Sequence, residues 1–548
     1  MNFLQNIFGR LADSPGNMVL EEMRPEGRVS VTAGALLERV AVARAFLSAA
    51  GLRKGDRCAL LSANSIHWVA VDLAAMADGI IVVPLYARQA PAELAAMIRD
   101  CQPAMVCCGD ADLQRNLLTA WPDGEARMVT MEEIFASGLQ GAGIRTEPTP
   151  LADSDPVTII YTSGTSGESK GVVLSVGNVT YMLSCTTARL EQLMGQRTEP
   201  DRVFHYLPFC FAGSWILLLS SVLRLSELRL STDLTRIADD LRASTPDYCL
   251  NVPQLLERMR TAVEAQIAKR GGLANTIFTK AKAASLGSTN GTKGGVSLLL
   301  AEKLIFPAIR KKLGPNLKAL ICGSAPLALE TQLFFQMLGI PVLQVYGLTE
   351  TTAICTMDDP RRVDPGAVGP AIPGIEMKLG DNNEILARGP NIFSAYWNRP
   401  LETAKTMSNG WFHTGDQGER TPNGNWRVVG RLKNLLVLSS GHNIAPEPLE
   451  EKLVRALPAA QQVVMFGNGR SFLTALVTGD VALGEVQAAV SELNSGLPHY
   501  RQIRAFHIEP HPLTIEGGLL TANGKLRRDA IAAHFRDPIE SMYRKNPS

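Results

Sequence analysis

Short apolar runs alternate with helix-forming stretches along most of the chain, and this rhythm constrains the fold more than any other feature. In the first part the runs are CALLSA at Cys58, GIIVVPL at Gly79 and AMVCCG at Ala104. The pattern returns in RVFHYLP, YCLNVP, LKALICGSAP and VLQVYGLTE, where each strand runs into Pro, Gly or Ser. Such alternation is typical of parallel strands joined by crossover helices. The sequence therefore predicts an α/β fold with parallel-rich sheets that bind ligands at the carboxyl ends of their strands.

The length of the chain and a change in its pattern predict more than one domain. At 548 residues it is too long for a single hydrophobic core, so two or three packed units are expected. From Val363 the pattern changes to short alternating strands, which predicts a small β-rich subdomain. Turns between these strands are expected at Asp381–Asn383, Asn409–Gly410 and Asn423–Gly424.

The segment after Gly430 differs in composition from the rest, because it contains neither cysteine nor tryptophan. We expect a large N-terminal domain at residues 1–431 and a small, mobile α+β domain at residues 432–548. The stretch from Gly271 to Gly295 is glycine-rich, small and polar, and we expect it to be a mobile excursion outside the core.

Charge balance and cysteine content exclude several classes of protein. Lys and Arg number 54 against 53 Asp and Glu, so net charge gives no argument for nucleic acid as a partner. The nine cysteines include no CxxC pair and the eight histidines form no HExxH motif, which argues against a disulfide framework and a zinc site. We interpret the cysteines as small buried residues of a protein in a reducing cytoplasm.

The sequence shows no pattern of a secreted or membrane-spanning protein. No apolar run reaches the roughly 20 residues that a membrane helix needs, and the first residues lack a basic start followed by an apolar core. Five apolar residues near the start share one helical face, and we interpret them as a helix docked on the body rather than a membrane anchor. These five residues are Phe3, Leu4, Ile7, Phe8 and Leu11. We expect a cytoplasmic protein with at most peripheral membrane contact.

The stretch YTSGTSGESKG, from Tyr161 to Gly171, is a local candidate for a ligand site. It does not match the mononucleotide P-loop, because Lys170 is not followed by Ser or Thr. Its three glycines still allow backbone N–H groups to converge on an anion, its hydroxyls add donors, and Lys170 adds a compact positive charge. On this stretch alone, a phosphate-binding loop and a plain linker both stay open.

Together with this loop, five later stretches resemble the adenylate-forming (AMP-binding) superfamily, which includes acyl-CoA synthetases, luciferases and carrier-loading adenylation domains. In chain order they are GSAPL at Gly323, YGLTET at Tyr346, GWFHTGD at Gly410, GRLKNLLVLSSGHNIAPEPLE at Gly430 and NGKLRR at Asn523. The run LLAEKLIFPAIRKKLGPNLKALICGSAPL, from Leu299, is most similar to long-chain fatty acyl-CoA synthetases.

The resemblance implies ATP, Mg²⁺ and coenzyme A as ligands and a reaction in two halves. A carboxylate attacks the α-phosphate of ATP to give an acyl-adenylate and pyrophosphate, and the thiol of coenzyme A then displaces AMP. Both halves build negative charge on oxygens, so fixed cations and hydrogen-bond donors matter more than a strong base.

By resemblance, Lys525 is the principal catalytic residue and bridges the substrate carboxylate and the α-phosphate. Its plainer alternative is a solvated lysine beside two arginines. Thr165 and Glu350 are also expected to take part in catalysis, and Glu350 with Thr162 to associate with magnesium, which prefers hard oxygen ligands.

The remaining ligand contacts implied by the resemblance are spread over the chain. Asp416 and Arg431 would bind the ribose, Tyr346 would stack on adenine, and Thr349 would touch the α-phosphate. The other expected ATP- or CoA-binding residues are Ser163, Gly164, Ser166, Gly167, Lys170, Gly323, Ser324, Ala325, Gly347, Lys433 and Gly441. Plainer alternatives, such as a satisfied aspartate or a core tyrosine, stay open for single residues.

The resemblance also implies that the C-terminal domain swings between the two half-reactions. Lys433 matches the hinge of that movement. Gly441 matches a glycine that allows pantetheine to approach, since a side chain there would obstruct it.

Phe209, Phe211 and Trp215 suggest an apolar channel for an alkyl chain, with a plain buried helix start as the alternative. The chain departs from the family pattern at three places. Glu168 replaces a common proline in the loop, Phe211 stands where many relatives have histidine, and TANG before Lys525 replaces a version with proline and threonine.

We therefore expect an AMP-forming acid–thiol ligase that joins a medium- to long-chain fatty acid to coenzyme A. One alternative is an acyl- or aryl-AMP ligase that loads an acyl carrier protein, because Gly441 fits either pantetheine arm. Another is a catalytically silent nucleotide- or acyl-binding homologue, which the intact Lys525, Asp416, Arg431 and Glu350 argue against.

Overall fold

The computed structural model describes residues 1–122, 124, 126–138, 147–163, 169–196, 199–287, 296–521 and 524–545. By Cα proximity the chain divides into two compact units. The first comprises Met1–Met377, Ala387–Phe412 and Arg420–Arg427, and the second Lys378–Leu386, His413–Glu419 and Val428–Ser548. The mixed α/β architecture confirms the predicted fold class.

A sheet of seven strands contains the hairpin on either side of the predicted phosphate loop. Its inner strands pair in parallel, and the two strands at the hairpin side pair antiparallel. In spatial order they are Ala395–Tyr396, Ser169–Ser175, Pro156–Ser163, Ile81–Leu85, Arg57–Leu61, Met105–Cys108 and Arg127–Thr130. The parallel pairing predicted from CALLSA, GIIVVPL and AMVCCG is thus confirmed.

A second sheet of eight strands is parallel except at its two edges. In spatial order the strands are Thr356–Met357, Val342–Tyr346, Ala319–Cys322, Tyr248–Asn251, Arg202–His205, Glu227–Ser231, Met18–Arg24 and Gly27–Thr32. The four later apolar runs supply neighbouring strands of this sheet, so the sequences that follow them lie at a shared carboxyl edge.

Helices cover these sheets, and several of them begin at a polar N-cap residue. Asn2 and Gln5 form a capping box at the first helix, whose five apolar residues are buried as predicted. The α-helices of the first unit are Phe3–Asp13, Ala33–Ala49, Ile66–Ala77, Pro91–Cys101, Ala111–Ala120, Met131–Phe135, Val176–Met194, Ala212–Leu223, Ile237–Ser244, Pro253–Arg270, Gly272–Gly287, Val296–Leu304, Phe306–Leu313, Leu329–Met337 and Pro400–Thr406.

The expectation of an excursion outside the core is wrong over residues 272–287. These residues form a helix, and its Phe278 and Ala281 are buried in a core cluster with Phe306 and Phe334. The glycines stand at the ends of the stretch, while its middle is rich in alanine, which favours a helix. Residues 288–295 lie outside the described part of the chain.

A third sheet of five strands confirms the predicted β-rich texture after Val363. Its strands are Glu376–Leu379, Glu384–Arg388, Trp411–Arg420, Met407–Ser408 and, paired with the third of these, Trp426–Arg431. Asn409 and Gly410 both have positive φ in the tight turn between two of its strands, as an Asn-Gly hairpin requires.

The rest of the second unit is a small α+β assembly with its own cores. Its three-stranded sheet comprises Ala460–Phe466, Leu473–Gly479 and Ile503–Glu509, beside a two-stranded pair, Leu436–Val437 and Asn443–Ile444. Its α-helices are Glu447–Ala456, Leu483–Ser495, Arg528–His534 and Arg536–Lys545. In the described part of the whole chain, no helix combines the length and apolarity needed to cross a membrane.

Candidate active site

The predicted phosphate loop stands in the sequence between two strands that pair antiparallel. Strand Pro156–Ser163 pairs with strand Ser169–Ser175, and Thr162 lies opposite Lys170. Gly164, Thr165, Ser166, Gly167 and Glu168 lie outside the described residues, as does the side chain of Ser163. The hairpin nonetheless explains why the P-loop pattern fails, because a P-loop leads from a strand into a helix and this loop leads back into a strand.

Lys170 is held in an ion pair beside this loop. Its Nζ donates to Glu402 Oε2 at 2.6 Å and lies 5.3 Å from the centre of the Tyr396 ring. Only 14% of the Lys170 side chain is exposed. The hydrogen bond from Lys170 lowers the pKa of Glu402 to about 2, and Lys405 contributes as a second partner. Lys170 is therefore fixed in place, with its charge partly balanced.

Tyr396 connects Lys170 to Glu350. The Tyr396 hydroxyl donates to Glu350 Oε1 at 2.7 Å, and burial followed by the charge of Glu350 raises the pKa of Tyr396. Glu350 is 9% exposed and lies in a short 3₁₀ turn, Thr349–Thr351, which contacts strand Ser169–Ser175. Tyr396 thus contacts both of the predicted site residues Lys170 and Glu350. Sequence reasoning missed this tyrosine and the glutamate that pairs with Lys170.

The surroundings of Glu350 bear on how magnesium would be held. Among the described residues no cluster of three or more His, Cys, Asp or Glu side chains is arranged to hold a metal ion. One Glu350 oxygen is already bonded to Tyr396, and Thr162 offers a neutral hydroxyl. These groups fit an ion that arrives with the phosphates of a nucleotide and takes most of its ligands from them.

The 3₁₀ turn that carries Glu350 is followed by strained backbone. Thr352 and Ala353 both have positive φ, at 50° and 90°, although neither is glycine. Thr352 Oγ1 donates to the Asn391 carbonyl at 2.7 Å, and the buried Asn391 amide donates to the carbonyls of Thr351 and Ile354. Asn391 therefore holds this turn, a positioning role that nothing in the sequence indicated.

The residues predicted to flank adenine meet at one sheet edge. Gly323, Ser324 and Ala325 follow strand Ala319–Cys322, and Tyr346 ends the neighbouring parallel strand. A Cβ on Gly323 would lie 2.7 Å from Val345 Cγ2, so a side chain has no room there. Ser324 and Ala325 are exposed and Tyr346 is half-buried, which leaves a surface beside the strand ends.

At Gly347 a side chain is excluded because the backbone of a later segment approaches even more closely. A Cβ there would lie 2.4 Å from both the Ala353 carbonyl oxygen and Ile354 Cα. The chain after Tyr346 therefore folds back tightly, and this places Thr349 and Glu350 beside the same strand end.

In the second unit, the two predicted ribose-binding residues contact each other. Arg431 Nε lies 3.0 Å from Asp416 Oδ1. The Asp416 side chain is 5% exposed and that of Arg431 is 39% exposed. The Asp416 backbone N–H donates to Thr414 Oγ1 at 3.1 Å, which fixes the strand locally. Asp416 is thus a buried carboxylate held by a half-exposed guanidinium.

Lys433, the predicted hinge, lies in the 3₁₀ turn Leu432–Asn434 directly after Arg431. The pKa of Lys433 lies below its ordinary value, first because surrounding protein displaces water from the amine and second because Arg431 repels its charge. Asp529 and Asp416 act in the opposite direction. The hinge role of Lys433 stays a prediction.

Lys525 lies on an exposed tight turn of the second unit. Its backbone N–H donates to Thr521 Oγ1 at 3.0 Å, and its carbonyl accepts from the Thr521 N–H at 2.8 Å. Leu520 and Leu526 bridge across the turn and pack on a small core cluster. The turn is therefore anchored while it presents the lysine at the surface of this unit.

Gly441 lies in another exposed turn of the same unit. Its φ is +83°, and no described atom lies within 4 Å of a Cβ placed on it. Its N–H donates to the Leu438 carbonyl at 2.8 Å. The open space beside Gly441 is compatible with the close approach of a thiol-bearing arm, and its positive φ gives an independent reason for glycine.

The three predicted acyl-channel residues differ in their surroundings. Phe209 is 1% exposed and packs between Trp68 and His205, with ring centroids 5.1 and 5.2 Å away. Trp215 is equally buried and is tied to a buried acid: its Nε1 donates to Asp72 Oδ2 at 3.0 Å. Phe211 is half-buried, with its ring 5.8 Å from that of Tyr86.

Two cavities in the described part of the chain lie away from these residues. One, of about 270 Å³, is lined by residues that include Gln332, Arg361 and Arg362. The other, of about 240 Å³, is lined by residues that include Leu61 and Leu117. Neither is lined by a predicted site residue.

Curated relatives match most of the chain, and one matches almost all of it. It is 27% identical to the long-chain-fatty-acid–CoA ligase FadD15 of Mycobacterium bovis, over 99% of this chain and 97% of that protein. It is 30% identical to the putative fatty-acid–CoA ligase fadD11 of Mycobacterium tuberculosis, over 71% of this chain and 74% of that protein. Long chain acyl-CoA synthetase 3 of Arabidopsis thaliana is 25% identical over 90% of this chain and 84% of its own length.

Solved structures share the fold. MatB from Rhodopseudomonas palustris, bound to ATP, superposes with a TM-score of 0.75 at 23% identity over 98% of this chain and all of its own. The adenylation domain of a carboxylate reductase from Mycobacterium chelonae gives 0.76 at 21% identity over 99% of this chain and 91% of its own.

Family models account for both parts of the chain. The AMP-binding enzyme model matches residues 10–397, and the model of the AMP-binding enzyme C-terminal domain matches residues 433–547. The resemblance predicted from six motifs is therefore confirmed. The chain belongs to the AMP-binding enzyme family.

Proposed function

We propose that the protein is an ATP-dependent ligase that joins a medium- to long-chain fatty acid to coenzyme A, through an acyl-adenylate and with release of AMP and pyrophosphate. The observation that carries this proposal is the match to a long-chain-fatty-acid–CoA ligase over 99% of the chain and 97% of the relative. A match of that extent includes the segments that bear both half-reactions.

In the proposed first half-reaction, the protein stabilises negative charge on phosphate and carboxylate oxygens. Lys525 bridges the fatty acid carboxylate and the α-phosphate, and Lys170 supplies a second cation beside the loop. Asp416 accepts hydrogen bonds from the ribose hydroxyls, oriented by Arg431 at 3.0 Å. Magnesium, associated with Glu350 and Thr162, would supply further positive charge at the phosphates.

In the proposed second half-reaction, the thiolate of coenzyme A displaces AMP from the acyl-adenylate. We propose that residues 432–548 form the C-terminal domain that turns about Lys433 between the two steps. The exposed turn at Gly441 would then face the pantetheine arm, and its open surroundings support this role.

We propose that the alkyl chain of the substrate lies against Phe211, with Phe209 and Trp215 behind it. The partial exposure of Phe211 and the full burial of the other two support this order. An aromatic ring at residue 211 suits an apolar ligand and excludes the polar role of a histidine.

The cysteines support a cytoplasmic location. None of the nine cysteines forms a disulfide; eight are buried and Cys185 is half-buried. A protein of the reducing cytoplasm retains thiols in this state.

Pyrophosphate release tests the proposed reaction. The protein is mixed with ATP, magnesium and saturated fatty acids of increasing chain length. We expect release that is greatest with medium- or long-chain acids and that needs the acid. Release with no acid in the panel would contradict the proposal and favour a silent binding protein.

The acceptor is tested separately, because an acyl carrier protein also presents a pantetheine thiol. Release of AMP is measured with coenzyme A and with pantetheinylated acyl carrier protein at equal concentration. We expect coenzyme A to drive AMP release. Release with the carrier protein alone would assign the chain to carrier loading.

A further inference from the structure

Three consecutive helices carry an outer surface that the proposed reaction does not use. They are Gly272–Gly287, Val296–Leu304 and Phe306–Leu313, and each contacts the next. Their inner sides are buried in one core cluster, for example at Phe278, Ala301 and Ile309. We name the outer side the leucine–lysine face. It consists of Leu273, Lys280, Leu299, Leu300, Lys303, Leu304, Lys311 and Lys312.

The middle helix shows how this face is built. At about 100° per residue, Leu299, Leu300, Lys303 and Leu304 occupy one arc of about 140°. Ala301, on the other side, is fully buried. Leu299, Leu300 and Leu304 are 57%, 41% and 67% exposed. The helix therefore has apolar residues on both its sides, and only one side is used by the core.

The flanking helices extend the face. Leu273, at the start of the first helix, is 75% exposed, and Lys280 two turns later is exposed on the same side. In the third helix Lys311 is exposed opposite the buried Phe306 and Ile309, and Lys312 is exposed at the edge of that buried side. The first two helices thus expose both leucine and lysine, and the third adds two exposed lysines.

The sequence around this face is strongly basic although the whole chain is nearly neutral. From Lys269 to Lys318 there are ten Lys and Arg residues and one acidic residue, Glu302, which gives a formal charge of +9. The complete chain has a formal charge of +1, so the remaining residues sum to −8. Positive charge is concentrated in the segment that also exposes four leucines.

We propose that the leucine–lysine face binds the surface of a membrane that contains anionic lipids. Leucines insert among the headgroups and acyl chains, while lysines contact anionic headgroups from the same side. A second copy of the chain would bring two basic surfaces together, which repel each other. Nucleic acid would attract the lysines but would leave the leucines without an apolar partner.

Vesicle flotation of the full-length protein tests this surface. Vesicles of phosphatidylcholine alone are compared with vesicles that also contain phosphatidylglycerol, without ATP or fatty acid. We expect binding to the anionic vesicles at least about tenfold stronger than to the neutral ones, and weaker at high salt. Because no substrate is present, this result does not depend on the proposed reaction.

Matched variants locate the binding to the face. We expect Leu300→Gln with Leu304→Gln to weaken binding at least about tenfold. The control pair is Leu118→Gln with Leu483→Gln, whose leucines are 44% and 70% exposed, close to the 41% and 67% of the test pair. The control should bind like the unmodified protein.

A second pair of variants tests the charge. Lys303→Gln should weaken binding to anionic vesicles about fivefold, whereas Lys452→Gln, an exposed lysine elsewhere, should leave it unchanged. Absence of binding to anionic vesicles, or equal binding by the face and control variants, would overturn the proposal. So would conversion of a dimer to a monomer by Leu300→Gln with Leu304→Gln, which would assign the face to a second copy.

Discussion

Asp72 is a carboxyl group buried where the surrounding sequence is apolar. It lies within the helix IHWVAVDLAAMA, is 1% exposed, and has one oxygen bonded to Trp215 and the other without a partner among the described residues. Burial raises the pKa of Asp72 to about 7, and the Trp215 hydrogen bond only partly opposes this. The hydrogen bond therefore couples the ionisation of Asp72 to the position of Trp215, a predicted substrate residue.

The burial of Asp72 should make the free energy of unfolding fall as pH rises. Because the folded-state pKa of Asp72 exceeds the unfolded value, its stabilising contribution is complete below the unfolded pKa and is lost as pH rises through about 7. Between pH 6 and 8 the free energy of unfolding should fall by about 1.4 kcal/mol. Asp72→Asn should remove this fall in urea denaturation, and the exposed Asp112→Asn should retain it. Equal pH profiles for all three proteins would contradict the argument.

Lys525 is the residue on which the proposed chemistry depends most. We predict that Lys525→Ala lowers fatty-acid-dependent pyrophosphate release by about a thousandfold or more, because the transition state loses its bridging cation. ATP binding, measured by calorimetry, should persist, since other residues hold the nucleotide. Lys452→Ala, an exposed lysine of the same unit, is the control. Near-normal release by Lys525→Ala would show that another group performs this step.

Single residues of the site were predictable only where a motif marks them. Lys170 and Glu350 stand in recognisable stretches, whereas Tyr396 and Glu402, which hold them, do not. The Lys170–Glu402 ion pair joins residues 232 positions apart, and no local periodicity reports such a contact. Asn391 was missed for the same reason, because its role depends on backbone carbonyls that only the fold brings to it.

At the scale of elements, strands were more predictable than irregular segments. The apolar runs became parallel strands because both of their faces are buried, which leaves a continuous hydrophobic signal. The sequence predicts the segment Gly272–Gly287 as an excursion outside the core, because glycines stand at its ends. Its alanine-rich middle forms a helix instead. Its stability comes from burying Phe278 and Ala281 against other helices, which composition does not reveal.

The turn at Gly441 carries an element-level prediction. Gly441→Leu should spare adenylation and block thioester formation, because the side chain would fill the open space beside the turn. Pyrophosphate release and acyl-CoA formation are measured in parallel. Gly469→Leu is the matched control for backbone strain, since Gly469 also has positive φ, at 70°, and open surroundings. If Gly441→Leu lost both half-reactions equally, this would count against separate roles for the Gly441 turn and the turn that carries Lys525.

At the scale of the whole molecule, the domain boundary is open to direct test. The two core clusters that contain Leu453 and Ile531 are formed only by residues 436–543. We predict that a fragment of residues 432–548 folds alone and unfolds cooperatively, as followed by circular dichroism. Leu453→Ala, at a fully buried position, should destabilise it by about 3 kcal/mol. A fragment without a cooperative transition would place the boundary elsewhere.

The family could be predicted from six motifs because each is short, local and in a fixed order. The division of the chain into two compact units could not be predicted in this way. Residues 378–386 and 413–419 group by Cα proximity with the C-terminal segment. Both pieces are separated from that segment by residues of the first unit, and only their three-dimensional contacts assign them to the second. The order of the motifs along the chain therefore predicts the family, but it does not predict which segments form each compact unit.

The charge of the chain is distributed unevenly along its sequence. A formal charge of +1 arises from +9 in one stretch of fifty residues and −8 in all the others. On an ion-exchange column near neutral pH, a cation exchanger should therefore retain the protein through this basic segment although the whole chain is almost neutral. Immobilisation on a negatively charged sensor would likewise present one side of the protein to the solution.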